Sequence, residues 1–108
     1  MKEFCYRFLI VILSLGFSVT VQASLTKDLT KAIYLVKSGD HKLAIDFCNK
    51  VINENPASVQ AYYVRGFAYF QLEEFAKAKN DFDKTIELQP HHADAFYYRG
   101  LSKRQQGK

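Results

Sequence analysis

Residues 59–92 read VQAYYVRGFAYFQLEEFAKAKNDFDKTIELQPHH, and the pattern inside this stretch returns on both sides of it at a spacing of 34. Pro56 and Pro90 stand 34 positions apart, as do Gly66 and Gly100, Arg65 and Arg99, Ala61 and Ala95, Tyr63 and Tyr97, and Ala44 and Ala78. Tyr62 answers to Phe96, Cys48 to Phe82 and Ile52 to Ile86. A fixed period of this size means stacked units, none able to bury its apolar face alone. Such an array is a binding scaffold by construction and offers no enclosed catalytic pocket.

Within each unit the apolar residues recur at helical spacing. Leu29, Ile33 and Val36 mark a first helix opening at Ser24 or Thr26, broken by Ser38-Gly39-Asp40. Asp40 is expected to cap a second helix carrying Leu43, Ala44, Phe47, Cys48, Val51 and Ile52. Asn55-Pro56 ends it, because the residue before proline is pushed out of the α region. Ser58 caps a third helix bearing Tyr62, Tyr63, Gly66, Phe67, Tyr69 and Phe70. The fourth runs from about Glu74 to Leu88, with Phe75, Ala78, Phe82, Thr85 and Ile86 inward, and the fifth from His92 or Ala93 to about Gln106. No segment alternates apolar and polar as a half-buried strand does. Gly66 and Ala78 are expected to let two helices approach closely, and Gly100 to do the same for the fifth helix against the fourth. Arg65 and Arg99 flank the glycines, and an ion pair with Asp81 or Asp83 on the neighbouring helix is expected of them, with anion recognition as the other use of their guanidinium groups.

The unit resembles the tetratricopeptide repeat: helix A carries aromatic-x-x-L-G-x-x-Tyr, and helix B carries Ala-x-x-x-Phe followed by Pro. Residues 59–92 match through Tyr62, Gly66, Tyr69, Ala78, Phe82 and Pro90, with Arg65 standing where leucine is usual. Residues 25–58 match in their second helix, through Ala44, Cys48 and Pro56, while Asp28 and Ala32 stand at the aromatic and glycine positions. Residues 93–108 repeat helix A alone, with Phe96 and Gly100. The resemblance implies an all-α solenoid of antiparallel helix pairs, two full repeats plus one helix, over residues 24–108. It also implies a concave face, lined by first helices, that takes a peptide or partner helix. Carried over residue by residue, that face is Leu29, Ile33 and Lys37, then Gln60, Tyr63, Phe67, Phe70 and Gln71, then Asp94, Tyr97, Leu101 and Arg104. The residues picked out for partner binding are Gln60, Tyr63, Phe67, Phe70, Tyr97, Leu101 and Arg104. For Phe67 and Phe70 the reading as core between neighbouring helices comes first, because helical apolar stripes are usually core. Relatives that grip the carboxylate tail of cytosolic chaperones use Lys and Asn where this chain has Tyr63, Phe67 and Tyr97, which argues against that ligand.

The first 23 residues are set apart. Lys2 and Arg7 precede the apolar run Phe8–Leu13, which weakens toward Val21, and Val21-Gln22-Ala23 has the form of a signal-peptidase site. The stretch Phe8–Val21 is shorter than the roughly 20 residues of a membrane span, so a cleaved secretory signal is expected, with an uncleaved membrane anchor as the alternative. Export to a bacterial periplasm or beyond follows.

The chain of 108 residues carries 15 Lys and Arg against 11 Asp and Glu, with the signs interspersed. A nucleic-acid binder shows a basic stripe instead. After cleavage Cys48 is left without a partner cysteine, at a core position. His91-His92 lacks the convergent ligands of a metal site and is expected to sit in a solvated loop. No nucleophile–base pair or phosphate loop is present. The sequence therefore predicts no enzyme, no cofactor and no small-molecule substrate. A partner protein or peptide remains, with oligomerisation through the open end of the array, or a fragment of a longer array, as the other readings.

Overall fold

The computed structural model describes residues 21–108. The first helix, α1, occupies 21–38 of these, followed by α2 (His41–Glu54), α3 (Val59–Gln71), α4 (Phe75–Leu88) and α5 (Ala93–Gln106). Among the described residues every regular element is a helix. α3 packs on α2 and on α4, and α4 on α5, so the helices stack in chain order as antiparallel pairs. None of these helices is long and apolar enough to cross a membrane.

The turns show how the chain reverses. Gly39 has φ +90°, and the bonds Gly39 N–H to Val36 C=O (3.2 Å) and Asp40 N–H to Leu35 C=O (2.8 Å) close α1 with a left-handed residue. One period later Glu73 is forced into the same region at φ +61°, with Glu73 N–H on Phe70 C=O and Glu74 N–H on Tyr69 C=O. Lacking glycine's freedom, Glu73 carries strain there. Ser58 caps α3 as expected, its hydroxyl accepting from Ala61 N–H.

Three local expectations are corrected. α1 already runs at residue 21, upstream of Ser24 and Thr26. The Thr26 and Thr30 hydroxyls donate to the carbonyls of Gln22 and Thr26, each at 2.8 Å, and so bond back along the helix rather than capping it. The expected cleavage point after Ala23 thus falls on α1, and the rest of the segment Met1–Ala23, up to residue 20, lies outside the described residues. Asp40 is the N-cap of α2 but makes no side-chain bond; its backbone, at φ −89° and ψ 68°, is not the extended form that aims a capping carboxylate. In α2, Leu43 is exposed and Ile45 is buried in its stead.

The core is built where the repeats meet. One cluster joins Ala32, Cys48 and Val64; a second joins Ala78, Phe82 and Ala95. The two repeats fill the same gap in opposite ways. In the second, Gly66 faces Phe82, and a Cβ on Gly66 would sit 3.0 Å from both Phe82 Cε1 and Asp81 Cβ. In the first, the equivalent pair is Ala32 and Cys48, both fully buried. A larger residue on helix A is matched by a smaller one on helix B, as close packing demands. Burial pushes the Cys48 thiol up to about 12, Arg65 working against this and Asp81 with it, which leaves it a thiol at neutral pH.

Candidate functional site

The first helices of the two full repeats, α1 and α3, lie side by side with a cleft between them. The cleft, of about 260 Å³, is lined by Ile33, Val36, Lys37, Tyr63, Val64 and Phe67. Its walls are apolar except for Lys37 at the rim. An open basin lined by Ser38, Gly39, His41 and Gln71 adjoins it, sharing Val36, Lys37 and Phe67. A larger depression, about 840 Å³, lies on the other flank of α1 against Phe47; its surface is mostly apolar, with Ala23 and Tyr34 beside Thr26, Thr30 and the charged Lys27, Asp28 and Lys31. It shares no lining residue with the cleft.

The seven residues singled out divide by burial. Tyr97 is 63% exposed, and among the rings of the described residues it pairs with Tyr98 alone, edge-on with ring centroids 5.2 Å apart. Gln60 and Arg104 are exposed, and Leu101 is half-buried. Tyr63, Phe67 and Phe70 are half-buried and packed: Tyr63 against His92 at 4.7 Å and Phe82 at 6.0 Å, Phe67 edge-on to Tyr98 at 5.2 Å, and Phe70 against both Phe75 and Tyr98 at 5.5 Å. Burial, with the Asp94 charge and then Tyr98 adding to it, pushes the Tyr63 hydroxyl above its ordinary range. Tyr63 and Phe67 therefore show one flank to the cleft and one to the packed rings, while Phe70 lines neither the cleft nor the basin and packs against the core.

Tyr98 is the residue that sequence reasoning missed. It touches Tyr63, Phe67, Phe70, Phe82 and Tyr97, and so joins the groove rings to the core. The signal was present, because Tyr98 stands one period after the buried Val64. His92 also departs from the solvated loop expected of it. It is half-buried and caps α5, its Nδ1 accepting from Ala95 N–H at 3.1 Å, while its ring leans on Tyr63.

The paired arginines are structural in the main. Arg65 holds Asp81 with a two-pronged contact, Nε to Oδ2 at 2.8 Å and Nη2 to Oδ1 at 2.7 Å, while Nη1 reaches Asn49 Oδ1 on α2 at 2.8 Å. One guanidinium thus ties three helices. Arg99 reaches Asp83 Oδ1 with Nη1 at 3.2 Å. Gly100 is the correction: a Cβ there would meet nothing within 4 Å, so it makes no close approach to α4. Its bare side faces the place one period on from α4, and there no described residue sits.

Comparison with known proteins agrees with this geometry. Residues 59–92 match the tetratricopeptide repeat family. A curated relative, the peptidyl-prolyl cis-trans isomerase PASTICCINO1 of Arabidopsis thaliana, is 38% identical over 60 residues, covering 56% of this chain and 9% of its own length. The chain thus spans about a tenth of that relative. Among solved structures, the first TPR of Spaghetti (RPAP3) bound to HSP90 peptide SRMEEVD superposes with a TM-score of 0.74 at 23% identity, over 75% of this chain and 64% of that one. A MamA RS-1 ArsTM double mutant superposes at 0.72 and 26% identity, over 76% and 46%. The fold is an all-α helical repeat of the tetratricopeptide type.

Proposed function

We propose that this chain is an exported protein–protein interaction module that holds a peptide or helix of a partner protein along the first helices α1, α3 and α5. The observation that carries the reading is the nearly all-apolar cleft between α1 and α3, set beside the exposed ring of Tyr97. An aromatic with one free face offers large contact area at small entropic cost, and its hydroxyl can still meet water or a partner. The solved TPR that holds an HSP90 peptide supports peptide binding by a fold of this shape. With Leu29, Ile33, Tyr63, Phe67, Tyr97 and Leu101 along the inner side, the ligand here is anchored by apolar side chains rather than by a carboxylate clamp. The export reading rests on the basic start, the apolar run and the Val21-Gln22-Ala23 ending. Nothing in this reading asks for a catalytic group or a cofactor.

A displayed random-peptide library, selected on the whole chain, tests it. Selected peptides should lose roughly 30-fold in affinity on Tyr97→Ala, the effect of truncating a central aromatic anchor. Lys50→Ala and Lys84→Ala, on second helices, should change affinity by less than about threefold. Peptides that depend on the lysines and ignore Tyr97 would place the binding surface on the outer side and refute the groove.

A further inference from the structure

Ser58 and His92 stand one period apart and cap their helices with different chemistry. The Ser58 hydroxyl accepts from Ala61 N–H at 3.4 Å, and His92 Nδ1 accepts from Ala95 N–H at 3.1 Å. A serine hydroxyl accepts at any pH near neutrality. An imidazole nitrogen accepts only while it carries no proton, and histidine is the side chain that takes up its proton between about pH 8 and pH 5. The cap of α5 is therefore sensitive to pH where the cap of α3 is not.

That cap reaches the groove. Ala95 is fully buried and joins Ala78 and Phe82 in the core cluster against which Tyr63 and Tyr98 pack. The His92 ring itself leans on Tyr63, with centroids 4.7 Å apart, and Tyr63 is a wall of the cleft between α1 and α3. The charges around His92 offer no substitute acceptor. The one charged side chain of α3, Arg65, is committed to Asp81 and Asn49. On α4, Lys77 pairs with Glu74, Lys79 with Asp83 and Lys84 with Glu87, while Asp81 holds Arg65 and Asp83 also holds Arg99. The Tyr63 hydroxyl, pushed up by burial and then by the Asp94 charge, stays neutral over this range. His91 beside it in the turn is exposed. Asp94, in the first turn of α5, favours an imidazolium, while the positive end of the helix opposes one. Neither gives Ala95 N–H an acceptor. An imidazolium kept over the Tyr63 ring, or turned over to present its carbon, leaves that buried amide equally unpaired.

We propose that His92 is a pH latch on the groove. Neutral, it caps α5 and braces Tyr63; protonated, it releases the first turn of α5 and loosens the Tyr63 wall, so that a bound peptide is held more weakly in acid. The latch rests on the groove reading above, but its first half is measured without any peptide.

The test compares the whole chain with His92→Ser, which copies the cap at Ser58 and does not titrate. His92→Asn, another uncharged cap, repeats the comparison. Between about pH 8 and pH 5.5 the Tm of the wild type should fall about 4–8 °C further than that of either variant, the loss of one cap in a domain of this size. His41 and His91 titrate in all three chains and cancel. In the free wild type, the amides of Ala95 and Tyr63 should shift together with the His92 ring, and in His92→Ser they should stay still. Histidine-free peptides selected on the chain should bind the wild type roughly tenfold more weakly at the lower pH, the effect of one buried donor left unpaired. His92→Ser should bind them equally at both. Melts that fall in parallel, or a Tyr63 amide that does not follow His92, overturn the latch. So does a peptide affinity that changes no more in the wild type than in His92→Ser. Failure of the groove is distinct: peptides that ignore Tyr97 would refute the binding surface while the free-chain titration of His92 stands.

Discussion

Gly66 and Gly100 are the same residue at the same phase of the repeat, yet replacing each with alanine should move stability in opposite directions. Alanine in a helix interior is favoured over glycine by about 1 kcal/mol, and both positions gain that term. At Gly100 nothing opposes it, for a Cβ meets no atom within 4 Å. At Gly66 the new methyl lands 3.0 Å from Phe82 Cε1 and Asp81 Cβ. Phe82 is fully buried and Asp81 is held by the Arg65 fork, so neither moves freely. Overpacking a tight contact costs about 1–3 kcal/mol, which equals or exceeds the gain. Gly100→Ala should therefore raise Tm by about 4–8 °C, the shift for about 1 kcal/mol in a domain of this size. Gly66→Ala should leave it level or lower it by up to about 15 °C. Thermal melts followed by circular dichroism decide. Equal increases would mean that α3 and α4 do not meet closely at Gly66, and a loss at Gly100 would mean that something covers α5 in solution.

Other consequences follow from the same packing. Phe82→Ala removes the largest fully buried side chain and should cost about 3–5 kcal/mol; a fall in Tm of under about 2 °C would remove Phe82 from the core. Glu73→Gly relieves a left-handed residue and should stabilise by about 1 kcal/mol, read as a higher urea midpoint at unchanged m. Burial works to raise the Asp83 pKa, but hydrogen bonds and charge from Lys79 and Arg99 outweigh it and hold the carboxyl below its ordinary range. Its contribution to stability is thus present above the ordinary carboxylate pKa of about 3.9 and lost as pH falls through the lower folded value. Melts between pH about 5 and 2 should fall more steeply for the wild type than for Asp83→Asn, and parallel curves would show that Asp83 carries no such linkage.

The repeat and its helices were legible because period and apolar spacing are properties of the chain itself. Ser58 was legible for the same reason, since a cap is local. What escaped was set by neighbours. The apolar arc of α2 is wide enough to turn either way, and only its packing decides that Ile45 goes in and Leu43 stays out. Tyr98 was overlooked because its weight lies in reaching five rings on α3, α4 and α5, a property no single helix displays. Gly100 was given α4 as its neighbour by analogy. The bare side of a helix-A glycine faces the second helix of its own repeat, as Gly66 shows with Phe82. In the candidate groove, the residues were identifiable by phase, but their division into free and packed was not. Tyr63 and Tyr97 are equivalent in sequence. Among the rings of the described residues, Tyr63 pairs with His92, Phe82 and Tyr98, while Tyr97 pairs with Tyr98 alone.

The groove is tested most directly by amide chemical-shift mapping of the labelled chain as a library-selected peptide is added. Shifts should concentrate on Ile33, Lys37, Tyr63, Phe67, Tyr97 and Leu101, spanning α1, α3 and α5, with Lys50 and Lys84 unmoved. A footprint confined to the outer sides of α2 and α4, with the cleft between α1 and α3 silent, would contradict it.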